Sequence, residues 1–139
     1  VPPPALLVFD ASNRDQCEVV RSKTSTPLQA LVMLNDPQVL EASRVLAEKF
    51  VADKRSDKEK LGDIFRLIVC RRPDSKELTL LENYLVKERQ EFARNPQRAA
   101  GFITAGEFRK NEILDKTETA AFMQLIHTIY NLDESGNKY

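Results

Sequence analysis

The chain has 139 residues, 42% of them hydrophobic and only four of them glycine, which fits one domain with one core and excludes a disordered or fibrous protein. Its 21 basic and 21 acidic residues cancel, and both signs are mixed along the chain, so the broad basic face of a nucleic-acid binder is missing beyond the local pair Arg71-Arg72. No run approaches the roughly 18 apolar residues that a membrane span needs.

Residues 1–25 hold three prolines, an apolar run Ala5-Leu-Leu-Val-Phe9 and a polar stretch from Asp10 to Glu18, with no helical period. This pattern predicts an extended or irregular arm crossing the body, with one helical turn near Asn13. Thr26-Pro27 is an N-cap followed by proline at the first helical position, where its missing N–H costs nothing. A first helix is therefore predicted from Pro27 to about Asn35, short and buried, because Leu28, Leu31, Val32 and Leu34 make it apolar on most sides. Asp36-Pro37 repeats the signal and opens a second helix, with Val39, Ala42, Leu46 and Phe50 as its inner stripe and Leu40, Ala47 and Val51 beside it.

Asp53-Lys-Arg-Ser-Asp57 ends that helix, and Ser56-x-x-Glu59 reads as a capping box for a third. Leu61, Ile64, Phe65 and Ile68 then fall at i, i+3, i+4 and i+7, and Arg72-Pro73 stops the run. Asp74-x-x-Glu77 caps a fourth helix whose inner stripe is Leu78, Leu81, Leu85 and Phe92. Asn95-Pro96 caps a fifth, reaching about Ala105 with Gly106 as its break. A polar connector, 107–114, leads to a third Asp/Ser-type box, Asp115-x-x-Glu118, and to a sixth helix with Phe122, Leu125, Ile126 and Ile129 inward. Asn131-Leu-Asp-Glu134 ends it, and residues 135–139 read as a frayed tail. The expectation is an all-α bundle of about six short helices in antiparallel hairpins, occupying 26–134 of a single domain with the arm laid across it.

Chemistry is sparse. The arm cluster Asp10, Asn13, Arg14, Asp15 and Arg21 is the candidate binding site, since arginines can hold an anionic or sugar ligand through charge-assisted hydrogen bonds. The competing explanation is that these side chains satisfy the donors and acceptors of irregular backbone. Acid pairs such as Asp10 with Asp15, or Glu107 with Glu112, have the residue types of a glycosidase, but 21 acids produce such pairs by chance. His127 is the one histidine and shares a helix face with Met123 and Tyr130, so it packs and does not ligate: a haem needs ligands on opposite sides of its iron. Cys17 and Cys70 form either one disulfide or two free thiols, and inert burial is the expected state of both. No catalytic residue, metal site or cofactor is assigned.

Several of these residues together resemble a known family. Phe9-Asp10, Asn13-Arg14-Asp15-x-Cys17, Arg21, Thr26-Pro-Leu-Gln-Ala-Leu31 and Leu34-Asn-Asp36 are similar to the signature of the planctomycete-type domain of unknown function fifteen-fifty-three. Phe65-Arg66 with Arg72-Pro73 and Glu77 resembles its helix junction, and Gly106-Glu107, Leu114-Asp115, Glu118, Ala121 and Asn131-Leu-Asp-Glu134 resemble its C-terminal end. Cys70 stands where that pattern has a glycine or small residue, and Phe122 where it has a tryptophan. The resemblance implies no reaction. It implies the C-terminal half of a large exported protein, often with a cytochrome-c-like domain upstream. The start at Val1-Pro-Pro-Pro, without initiator methionine or leader, is expected of either a processed protein or an excised piece of a longer one. The function expected is a non-catalytic interaction or scaffolding module. Its partners would be the upstream part of the same polypeptide and envelope or polysaccharide-associated components. The alternative is a share of a hydrolase cleft for extracellular polysaccharide, completed upstream.

Overall fold

A computed structural model describes residues 26–136 together with Val8. Among these residues every regular element is a helix and there are no strands, with seven helices: α1 (Pro27–Asn35), α2 (Pro37–Ala52), α3 (Asp57–Val69), α4 (Ser75–Arg94), α5 (Pro96–Phe102), α6 (Lys116–Tyr130) and α7 (Asp133–Gly136). The starts follow the cap signals. Thr26, Ser56 and Asp74 each close a full capping box with Gln29, Glu59 and Glu77. Asp36 and Asn95 cap α2 and α5 ahead of their prolines.

The third predicted capping box, Asp115-x-x-Glu118, does not form as written. Asp115 caps α6 by accepting from the Thr117 N–H at 3.0 Å, but Glu118 turns away to pair with Arg89 on α4. A charge-assisted bidentate partner outcompetes a single backbone N–H.

The bundle is organised around α6. Ala120, Ala121, Phe122, Met123, Leu125, Ile126 and Ile129 are all buried, so this helix is apolar on nearly every side and must be surrounded. It packs against α2, α4 and α5 and touches α3, while α3–α4 and α4–α5 are sequential neighbours. Leu61, Ile64 and Phe65 of α3 and Leu81, Leu85 and Phe92 of α4 fill the same core. Phe92 stacks on Phe102 of α5 with ring centroids 5.9 Å apart.

Several expectations differ from the structure. α1 buries none of its residues: Leu28, Leu31 and Leu34 are 54%, 55% and 45% exposed. Apolar composition on most sides of a nine-residue helix had implied burial, but among the described residues α1 packs mainly against α2, with the Met33 and Leu34 carbonyls beside His127 of α6. The inner face of α2 is as predicted at Ala47 and Phe50, which are buried, and at Leu40, Leu46 and Val51, which pack against the core, but it is rotated to bury Ser43 and Arg44 and leave Ala42 exposed. The cause is Arg44, whose backbone-binding role places it at the interior. Of the tail 135–139 read as frayed, residues 137–139 lie outside the described residues, and Ser135 and Gly136 belong to a short helix. That helix is α7, and the Ser135 hydroxyl donates to the Tyr130 carbonyl at 2.5 Å. Also, α5 ends at Phe102, and Gly106 lies in the following loop at φ 83°, not at the helix end.

Candidate functional site

The charged residues that the fold brings together are three arginine clamps, each joining segments far apart in sequence. Arg44 is fully buried. Its Nε donates to the Ala105 carbonyl at 3.1 Å, Nη2 to the Phe108 carbonyl at 2.8 Å, and Nη1 to Glu48 at 2.6 Å. The guanidinium fork thereby holds the base of the 103–115 loop, and Glu41 completes the grip by accepting from the Phe108 N–H. An arginine suits this position because it offers several fixed donors to carbonyls that no helix or sheet satisfies.

Arg71 sits just after α3 and chelates two acids. Nη2 and Nη1 reach Glu77 at 2.6 and 2.8 Å, and Nε and Nη2 reach Glu134 of α7 at 2.6 and 2.8 Å. Its guanidinium also stacks 4.9 Å from the centroid of Phe65. The pairing holds the Glu77 carboxyl down to about 2, with the Asp74 backbone N–H adding to the effect, and Glu134 is lowered by the same arginine. Arg89 bridges three helices, donating to Asp57 at 2.6 Å and to both oxygens of Glu118, while lying 5.6 Å from the Phe122 ring centroid.

Cys70 is the C-cap of α3 in the left-handed region, at φ 64°. It is exposed and free, which corrects the expectation of a buried thiol: a capping residue at the turn faces outward. The left-handed backbone also explains why a glycine or small residue is the expected occupant. His127 is buried, 6% exposed, and its Nε2 has no hydrogen-bond partner among the described residues. Burial lowers its pKa, against an opposing pull from the Met33 and Leu34 carbonyls at the end of α1.

The binding candidates Asp10, Asn13, Arg14, Asp15 and Arg21, and Cys17 with them, lie outside the described residues. Glu107 and Glu112 are both exposed on the loop that Arg44 anchors. Beside that loop runs a shallow groove of about 730 Å³, its walls formed by Ala42, Val45, Leu46, Phe108 and Tyr130, with Lys49 at the rim. Phe108 and Ile113 stand out into solvent. No helix among the described residues is long and apolar enough to cross a membrane, and no group of three or more metal-ligating side chains converges among them.

Sequence reasoning missed the clamps. One signal was present for Arg44: a charged residue embedded among Ala42, Val45, Leu46 and Ala47 on an otherwise apolar helix. Partners 61 and 64 residues away carried no such signal.

Fold and site together define an all-helical module whose arginines hold structure together and whose exposed large apolar side chains include Leu28, Leu31 and Leu34 of α1 and Phe108 and Ile113 of the 103–115 loop, alongside Leu67, Leu80 and Val86. The chain belongs to the PSD1 family of proteins of unknown function (DUF1553), whose model matches residues 1–85. That match spans the arm, α1 to α3 and the first half of α4, including Arg71 and Glu77, while the motif residues from Gly106 to Glu134 lie beyond it. Comparison with curated proteins and with solved structures finds no significant match.

Proposed function

We propose that this chain is a non-catalytic helical interaction or scaffolding module of a larger exported protein, and that α1 is the surface it uses. The observation that carries this reading is the outward stripe of Leu28, Leu31 and Leu34, three large apolar side chains on one short helix. Each leucine moved from water into an interface contributes on the order of 1–2 kcal/mol, so such a stripe favours a docked state. The arginines support the same reading from the other side, because Arg44, Arg71 and Arg89 have their donors engaged by carbonyls and carboxylates of this chain. The partner in this reading is the upstream part of the same polypeptide and, beyond it, envelope or polysaccharide-associated components.

Titration calorimetry of this chain with the upstream part supplied separately tests it. Binding should be measurable for the natural sequence and at least tenfold weaker for Leu28→Asp/Leu31→Asp. Equal affinities would remove α1 from the reading. Release of reducing ends from a polysaccharide, abolished by Asp10→Asn or Asp15→Asn, would overturn the non-catalytic assignment.

A further inference from the structure

The junction of α1 and α2 leaves two carbonyls without their helical partners. Met33 would bond the N–H of residue 37, which is proline and has none, and the Gln38 N–H that Leu34 would use goes to Asp36 Oδ1 at 2.7 Å. Both carbonyls lie beside the imidazole of His127 on α6. The histidine is buried, while α1 itself buries none of its nine residues.

A neutral imidazole is tolerated in this place, because one of its nitrogens carries no proton. The imidazolium has an N–H on both, and Nε2 finds no acceptor among the described residues. The ionisable groups of the surrounding elements are engaged elsewhere. α1 has none. On α2, Asp36 caps its own helix, Glu41 accepts from the Phe108 N–H and Arg44 holds the 103–115 loop. Beyond α3, Arg71 takes Glu77 and Glu134, and on α4 the Tyr84 hydroxyl pairs with Thr128. On α6 itself the titratable neighbour is Tyr130, whose pKa burial pushes up. Neither these groups nor Asp133 of α7 bear on His127: burial lowers its pKa, and only the two carbonyls oppose that. Hydrating the cation through the core side of α6 means opening the packing of Ile126 and Ile129. Hydrating it from the side of α1 displaces only a nine-residue helix that is marginal on its own, since isolated helices below about 12–15 residues are barely stable in water. We propose that His127 is an acid-sensitive latch: neutral, it seats the end of α1 on the bundle, and protonated, it releases α1 while the core stays folded. Acid then withdraws the outer leucine stripe, a consequence that rests on the reading of α1 as the docking surface, whereas the latch itself does not.

Hydrogen exchange on the full chain, without any partner, tests the latch and leaves the docking reading untouched. Rates are compared between about pH 7.5 and pH 5, each divided by the intrinsic rate at that pH. One-proton linkage loosens α1 by up to about tenfold per pH unit below about 6.5, so the amides of residues 31–35 should lose protection at least about threefold while those of α6 keep theirs. His127 is the one histidine, so its ring C–H signals in NMR report its protonation without overlap, and the loss of α1 protection should share their midpoint. His127→Gln, uncharged at every pH, should give equal α1 protection at both. Protection of α1 that is unchanged while the imidazole titrates overturns the latch, as does protection lost together with that of α6. Protection that rises in acid also overturns it, because the imidazolium would then be gripping the two carbonyls. A decline that persists in His127→Gln has the same force. If that variant loses α6 protection, and so is unfolded, the shared midpoint in the natural chain decides alone.

Discussion

Arg44 illustrates how one side chain decides a local architecture. Its guanidinium is removed from water and compensated by the Ala105 and Phe108 carbonyls and Glu48, with Glu41 as a further ion-pair partner, so deleting it strands these groups. Arg44→Met should cost about 3 kcal/mol in urea unfolding. Arg44→Lys should recover only part of that, because an ammonium cannot span two carbonyls and a carboxylate with fixed geometry. Cys70 works in the opposite sense. A side chain at φ 64° costs roughly 1 kcal/mol relative to glycine, so Cys70→Gly should stabilise the protein by about 0.5–1 kcal/mol in the same measurement. The glycine-like position was legible in the sequence through the family pattern. The exposure of the thiol was not, because it follows from the direction of the turn.

At the scale of elements, junctions between helices are set by pairs that sequence spacing does not announce. Asp115-x-x-Glu118 has the letters of a capping box, yet Glu118 serves Arg89 because α4 passes close to the start of α6. A double-mutant cycle should therefore give a coupling of about 1 kcal/mol for Arg89 with Glu118, bidentate and partly buried, and less for Arg89 with Asp57. The 103–115 loop depends on Gly106 in the same way. Its φ of 83° is left-handed, and a Cβ added there would lie 2.5 Å from Glu41, the residue that holds the Phe108 N–H. Gly106→Ala should cost about 1–2 kcal/mol and speed limited proteolysis between residues 107 and 114. Unchanged cleavage would mean that Arg44 alone anchors the loop.

For the whole molecule, acid should act in two windows. His127 is neutral in the folded protein with its pKa lowered by burial, so the unfolded chain binds more protons as pH falls below about 6.5. Stability should decline there by up to about 1.4 kcal/mol per pH unit, until the folded-state pKa is passed. The carboxylates add a second window of the same sign. Asp57, Glu77 and Glu134 have pKa values held below the ordinary carboxylate range by their arginines, with Glu77 at about 2, so their contribution is lost as pH falls from about 4.5 toward 2. Urea midpoints measured from pH 8 to 3 should show both declines. His127→Gln should flatten the first and leave the second, and a profile unchanged by that substitution would place the first decline elsewhere.

Helix positions, their caps and the all-α class were determined by the sequence alone, because Thr26-Pro27, Asp36-Pro37, Ser56, Asp74 and Asn95-Pro96 act on backbone groups within a turn of themselves. The tertiary structure decided which face each helix buries, that α6 lies at the centre, and which carboxylates the arginines select. Most of those outcomes depend on distant partners, such as Glu118 29 residues from Arg89 and Phe108 64 residues from Arg44, whose proximity exists only once the chain has folded. The outward leucines of α1 belong to the same group: their composition was plain from the residues, but their exposure was set by how few neighbours the rest of the bundle places around that helix.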